Sequence, residues 1–130
     1  MALLLACVTA AICFGFNQLL LRKFGMPVIL TYGPVLEEAV KTMTGFYLSV
    51  SLVALHSFFG LIEGIYDWQQ RTSRRKGLVA AALSVAGHAL FGFLTWYIYS
   101  WWGNIWLGMA AAMLVHMLWN AALIRINIRG

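Results

Sequence analysis

Apolar stretches of about twenty residues recur between short basic clusters, and that recurrence confines the chain to very few folds. Each stretch is long enough to cross a bilayer as a helix, and none shows the turn-punctuated alternation of an outer-membrane barrel. The residue content agrees: 62% hydrophobic and 10% charged over 130 residues, with a mean hydropathy of +0.82. The expectation is a single all-α domain, a polytopic membrane helix bundle of about five helices.

The breaks fix the helices. The first is expected over about 2–21, ending at Arg22-Lys23. It lacks the basic start of a signal peptide and is long enough to span, so it reads as a retained helix. Gly25, Pro27, Gly33 and Pro34 then interrupt the chain, which argues against continuous helix there. Pro34 suits the first position of a second helix, about 34–44, short enough to be partly re-entrant. Gly45 separates it from a third over about 46–70, and basic residues at 71–76 precede a fourth over about 77–101. Gly103-Asn104 turns the chain into a fifth, about 105–126, and Tyr97, Tyr99, Trp101, Trp102 and Trp106 crowd that turn as an interfacial aromatic belt.

The charge pattern supplies an orientation. The basic groups at 22–23, 71–76 and 125–129 all fall on one side of such a bundle. The positive-inside rule makes that side cytoplasmic, in a multi-pass protein of the cell membrane. The net charge of +5 is placed at helix ends rather than along a soluble face, so nucleic acid is not an expected partner; the lipid bilayer is. Cys7 and Cys13 lie on different faces of the first helix, which disfavours a disulfide.

Against that background Glu37-Glu38, followed by Lys41, stand out. One acidic residue at mid-bilayer costs about 2.5–3.5 kcal/mol on insertion scales. Glu63, His88 and His116 each lie within their own apolar run. At 1.5 Å per residue, Glu63 is roughly 12 Å from Arg71, His116 roughly 13 Å from Arg125, and His88 roughly 18 Å from Lys76. Three helices thus carry one titratable side chain each at a nearly common depth. Each also shows one polar or small-residue stripe suited to the bundle interior: His56, Gly60, Glu63 and Asp67; Ser84, His88, Gly92 and Thr95; Met109, Met113, His116 and Asn120.

Carboxylates and imidazoles meeting in a dry pocket can take a proton from water, stabilise an oxyanion or bind a metal. Glu63, His88 and His116 make a three-ligand zinc set, with Glu37 or Glu38 as base. A metal-free site in which a glutamate activates water uses the same residues, and the sequence leaves both open. Some of these residues have simpler readings. Glu37 and Lys41 suit an i,i+4 ion pair. His56, two turns from Glu63, reads as an interhelical hydrogen-bonding residue. Asn120, one turn beyond His116, reads as orienting it, and Asp67 reads as solvated near the helix end. Two other functions use the same buried polar groups: a proton or cation carrier, or a non-catalytic membrane scaffold.

Glu37-Glu38-Ala-Val-Lys41, Phe59-Gly-Leu-Ile-Glu63, His88-Ala-Leu-Phe-Gly92 and His116-Met-Leu-Trp-Asn120 follow one another on successive helices. In this order the four segments resemble the motifs of PrsW-type intramembrane proteases. That family is related to the CAAX-protease and bacteriocin-processing (CPBP/Abi) superfamily, whose fold the Aph subunit of gamma-secretase shares. The resemblance implies an intramembrane endopeptidase acting on single-span membrane proteins such as anti-sigma factors. It implies a catalytic set of Glu37, Glu38, Glu63, His88 and His116, supported by Lys41, Asn120 and Phe59.

Overall fold

The computed structural model describes the backbone at 1–71 and 73–129 and the side chains at 1–71 and 73–126. The side chain of Arg129, one of the expected basic groups, therefore lies outside the described residues. Helix α1 (Ala2–Phe24) stops at Gly25, which takes a positive φ of 66° and returns its N–H to the Leu21 carbonyl. A side chain at that φ is strained, so glycine defines the stop.

The stretch after Gly25 is more regular than its prolines and glycines suggest. A π-helical turn, Val28–Tyr32, leads directly into α2 (Gly33–Tyr47), with Pro34 in its first turn. The expected fresh start at Pro34 is replaced by a continuous helical path. A proline has no N–H to give, so the Ile29 carbonyl five residues back is free, and Asn120 Nδ2 donates to it at 3.0 Å. The five residues of the turn and the fifteen of α2 together reach about 28 Å, close to the hydrocarbon thickness. Helix α2 itself, at fifteen residues, is short, as expected, and is not among the helices long and apolar enough to cross a membrane.

Nor does α2 end at Gly45. Its backbone continues to Tyr47, and the turn falls at 48–51, with Ser49 at φ 51°. Ser51 Oγ then accepts the Ala54 N–H and caps α3 (Leu52–Gln70), which begins later than the expected 46. Gly45 serves packing instead: a Cβ there would stand 2.7 Å from Leu52 Cδ2. Helix α4 (Arg74–Trp102) and α5 (Ile105–Arg129) follow, joined at Gly103, which adopts the left-handed conformation at φ 65°. Asn104 Oδ1 caps α5 by accepting the Leu107 N–H at 3.1 Å. Trp101, Trp102 and Trp106 are exposed at this end, as an interfacial belt requires.

Helices α1, α4 and α5 are long and apolar enough to cross a membrane, and no strand occurs among the described residues. The chain is a helical membrane protein. Helix α3 packs most extensively on α4, through a seam of small residues. A Cβ on Gly60 would meet His88 Cβ at 2.8 Å, one on Gly64 the Ala81 carbonyl at 2.9 Å, and one on Gly92 His56 Cβ at 2.7 Å. Such close backbone approach is how helices associate where burial in lipid gives little drive. Helix α2 touches α1, α3 and α5. Its carboxylates therefore face three neighbours at once.

Candidate active site

Glu38 is fully buried and collects donors from three helices. Lys41 Nζ donates to Oε1 at 2.6 Å, His116 Nδ1 lies 3.0 Å from the same oxygen, and His56 Nε2 lies 3.1 Å from Oε2. An ionised carboxylate only accepts, so each imidazole nitrogen facing it carries the proton. For His116 this leaves Nε2 with a lone pair. His56 Nδ1 also points at the Leu52 carbonyl, at 2.8 Å.

Lys41, equally buried, is held by three groups. Besides Glu38 it lies 2.8 Å from His88 Nδ1 and 4.5 Å from the Phe59 ring centroid. The Lys41 cation sits over the face of the Phe59 ring. Because ammonium only donates, His88 Nδ1 accepts and Nε2 carries the proton. That Nε2 lies 2.5 Å from Glu63 Oε2, and Ser84 Oγ donates to the same oxygen at 2.9 Å. The expected Glu37–Lys41 pair is corrected by this geometry. Lys41 is one turn from both glutamates, but Phe59 and His88 draw it to Glu38, while Glu37 turns toward α1.

There Asn17 Nδ2 donates to Glu37 Oε1 at 2.7 Å. The other oxygen, Oε2, is buried without a hydrogen-bond partner among the described residues, and it lies 4.0 Å from His116 Nε2. Phe91 stacks on His116 at 4.5 Å between centroids and holds the ring in that direction.

Glu38, Glu63, His88 and His116 are therefore in one hydrogen-bonded network, with rings of His88 and His116 5.1 Å apart, and Glu37 lies beside it, 4.0 Å from His116. Asn120 is not what orients His116; Glu38 and Phe91 do that, while Asn120 ties α5 to the π-helical turn. Asp67 is half-buried rather than free in solvent. Asn17 is a contributor outside the expected set, while His56 makes the interhelical hydrogen bond expected of it, to Glu38. Ser84, on its expected inward stripe, contributes through Glu63. The group whose ligating atoms lie within 4.8 Å of one another is Glu37, His88 and His116, which could hold a metal ion; it differs from the expected set by Glu37 in place of Glu63.

Two cavities border the network. A small one of about 130 Å³ lies beside Asn17, Glu37, Glu63 and Asn120, roomy and polar enough for several waters. A larger one of about 550 Å³ reaches from Glu63, His88 and His116 to Arg71, Arg75 and Lys76. Glu63, about a quarter exposed, separates the two. Comparisons with models of known protein families, with curated proteins and with solved structures each find no match.

Proposed function

We propose that the protein is an intramembrane endopeptidase that hydrolyses a peptide bond in or near the spanning part of a single-span membrane protein, the class to which anti-sigma factors belong. One observation carries this reading: a buried carboxylate oxygen, Glu37 Oε2, without a partner and 4.0 Å from the lone pair of His116 Nε2. Two hydrogen bonds of about 2.8 Å to one water span that gap at an angle near 90°. A water held there gives its two protons to Glu37 and His116 and keeps a lone pair free for a carbonyl carbon.

In the reaction Glu37 takes one proton as the water oxygen bonds to the carbonyl carbon. The tetrahedral intermediate then expels the amine, which takes that proton back from Glu37. The C–N bond is broken, water has been added across it, and the site returns to its starting state. Asn17 fixes Glu37 Oε1 throughout, and Glu38 fixes His116 through Nδ1. Orientation follows the basic groups, whose ends we place in the cytoplasm of a cell-membrane protein.

Zinc suits the donor types of Glu37, His88 and His116, which would have to close on one another to bind it. Two zinc ligands at about 2.1 Å in tetrahedral geometry stand ~3.4 Å apart, less than the 4.0 Å between Glu37 and His116. Both His88 nitrogens are already committed, one of them to an ammonium group that would repel a cation. Glutamate-activated water needs none of these groups to move.

The test is cleavage of a library of single-span substrates by the purified chain in detergent. Products from the wild type, lost in Glu37→Ala, Glu38→Ala and His116→Ala, support the assignment. Cleavage that persists in all three variants removes it.

A further inference from the structure

The larger cavity is built for a particular kind of occupant. Its inner end is formed by Glu63, His88 and His116, and its rim by Arg71, Arg75 and Lys76, with Asp67 the one acidic side chain near the rim. Along α3, Glu63 is eight residues from Arg71, and along α4, His88 is thirteen from Arg75. At 1.5 Å per residue the rim and the inner end are about 12–20 Å apart. A helix hides its peptide bonds behind its own side chains and hydrogen bonds, so a segment that presents a bond at the inner end of this cavity of about 550 Å³ is extended.

We propose that the substrate enters this cavity as an extended peptide segment whose anionic group, a side-chain or terminal carboxylate, docks on Arg71, Arg75 and Lys76. The proposal rests on the endopeptidase reading and names the substrate it selects. At about 3.3 Å per residue, an extended chain covers 12–20 Å in about four to six residues. The bond presented beside His116 at the inner end therefore lies about that far from the anionic group. The walls between, with Val79, Leu83, Trp119 and Leu123, are apolar, so the intervening residues are apolar too. Three cations against one rim carboxylate leave an excess of two positive charges, which selects an anion rather than a neutral chain end.

Synthetic apolar peptides carrying one photoreactive leucine, with an Asp pair two, five or nine residues away, test this on the full-length chain in detergent. The readout is photocrosslinking near Phe91 and Trp119, located by mass spectrometry, so it does not depend on turnover. The five-residue spacing should crosslink several-fold better than the other two and than its Asn counterpart. The preference should disappear in the Arg71→Gln/Arg75→Gln/Lys76→Gln variant; these side chains are exposed, and thermal unfolding checks that the fold is kept. Equal yields at all spacings, or a preference unchanged in the variant, overturn the proposal. So does displacement of every peptide alike by phosphatidylglycerol but not phosphatidylcholine, which assigns the cavity to an anionic lipid. Cleavage without a spacing preference sinks this proposal alone; a spacing preference in a chain that cleaves nothing sinks the endopeptidase reading alone.

Discussion

Lys41 Nζ stands between Glu38 Oε1, at 2.6 Å, and His88 Nδ1, at 2.8 Å, with no exposed surface. A single buried cation thereby sets the tautomer of His88, directs its second nitrogen to Glu63, and balances the carboxylate that orients His116. The polar network is one unit, and its stability and its chemistry separate at particular residues.

Lys41→Met should be strongly destabilising. Removing one partner of a buried ion pair strands the other charge and costs about 3–5 kcal/mol. Adding Glu38→Gln should recover part of that loss, because the stranded charge disappears and the two effects are not additive. Unfolding midpoints in detergent measure both. A Lys41→Met protein as stable as wild type would show that Glu38 draws its compensation from the histidines instead.

Glu37→Gln should show the opposite signature. Oε2 already lacks a partner, and leaving a buried polar group unsatisfied costs about 1–3 kcal/mol. The substituted amide keeps the oxygen that Asn17 Nδ2 reaches and directs an N–H₂ toward the His116 lone pair. Stability should stay level or rise, while turnover falls about 10²–10⁴-fold through loss of the base. Paired unfolding and kinetic measurements decide; a joint loss of both would make Glu37 a structural residue.

Asn17→Ala removes the 2.7 Å bond that holds Glu37 Oε1. With the carboxylate free to rotate, kcat should drop about tenfold with KM little changed, since Asn17 touches the base rather than the large cavity. Restoring a donor of similar reach with Asn17→Gln should return part of kcat. A fall in KM alone, or no change, would remove Asn17 from the mechanism.

Asn17 also marks where the sequence stops being informative. The five helices follow from hydropathy, and the meeting of Glu63, His88 and His116 follows from a rise of 1.5 Å per residue applied to three helices. Those are properties of single helices. Asn17 sits in α1 as one amide in an apolar run, and nothing local says that α2 will bring Glu37 beside it. His56 is legible as far as an interhelical hydrogen bond, which it makes, but not as far as its partner. Its distance from Glu63 along α3 is real, yet Glu38 reaches it with Oε2 while Oε1 serves Lys41 and His116. The π-helical turn is not legible because a proline reads as a break, whereas here the carbonyl it frees is satisfied by Asn120 from another helix.

Chelation gives a direct check on the metal-free reading. With His88 held by Lys41 and Glu63, metal content of the purified protein should be well below one ion per chain. Activity should be unchanged after 1,10-phenanthroline treatment and dialysis. Stoichiometric zinc whose removal abolishes cleavage would mean that Lys41 leaves His88 in the working enzyme, and that Glu37, His88 and His116 close around the ion.

Gly92→Ala tests whether the seam between α3 and α4 sets the site geometry. A Cβ at Gly92 would lie 2.7 Å from His56 Cβ, 2.8 Å from its Cγ and 3.0 Å from the Leu52 carbonyl, none of which is a flexible chain end. The helices must separate or His56 must turn, and overpacking of this kind costs about 1–3 kcal/mol. Turning His56 withdraws the donor from Glu38 Oε2, so the imidazole ¹⁵N shifts of His56 should change along with the unfolding midpoint. Gly15→Ala is the matched control: it is helical with nothing within 4 Å of the added carbon, so it should be neutral or stabilising by about 0.5–1 kcal/mol. If Gly92→Ala behaves like Gly15→Ala and the His56 shifts do not move, the seam is looser than these distances require and Glu38 is positioned by Lys41 and His116 alone.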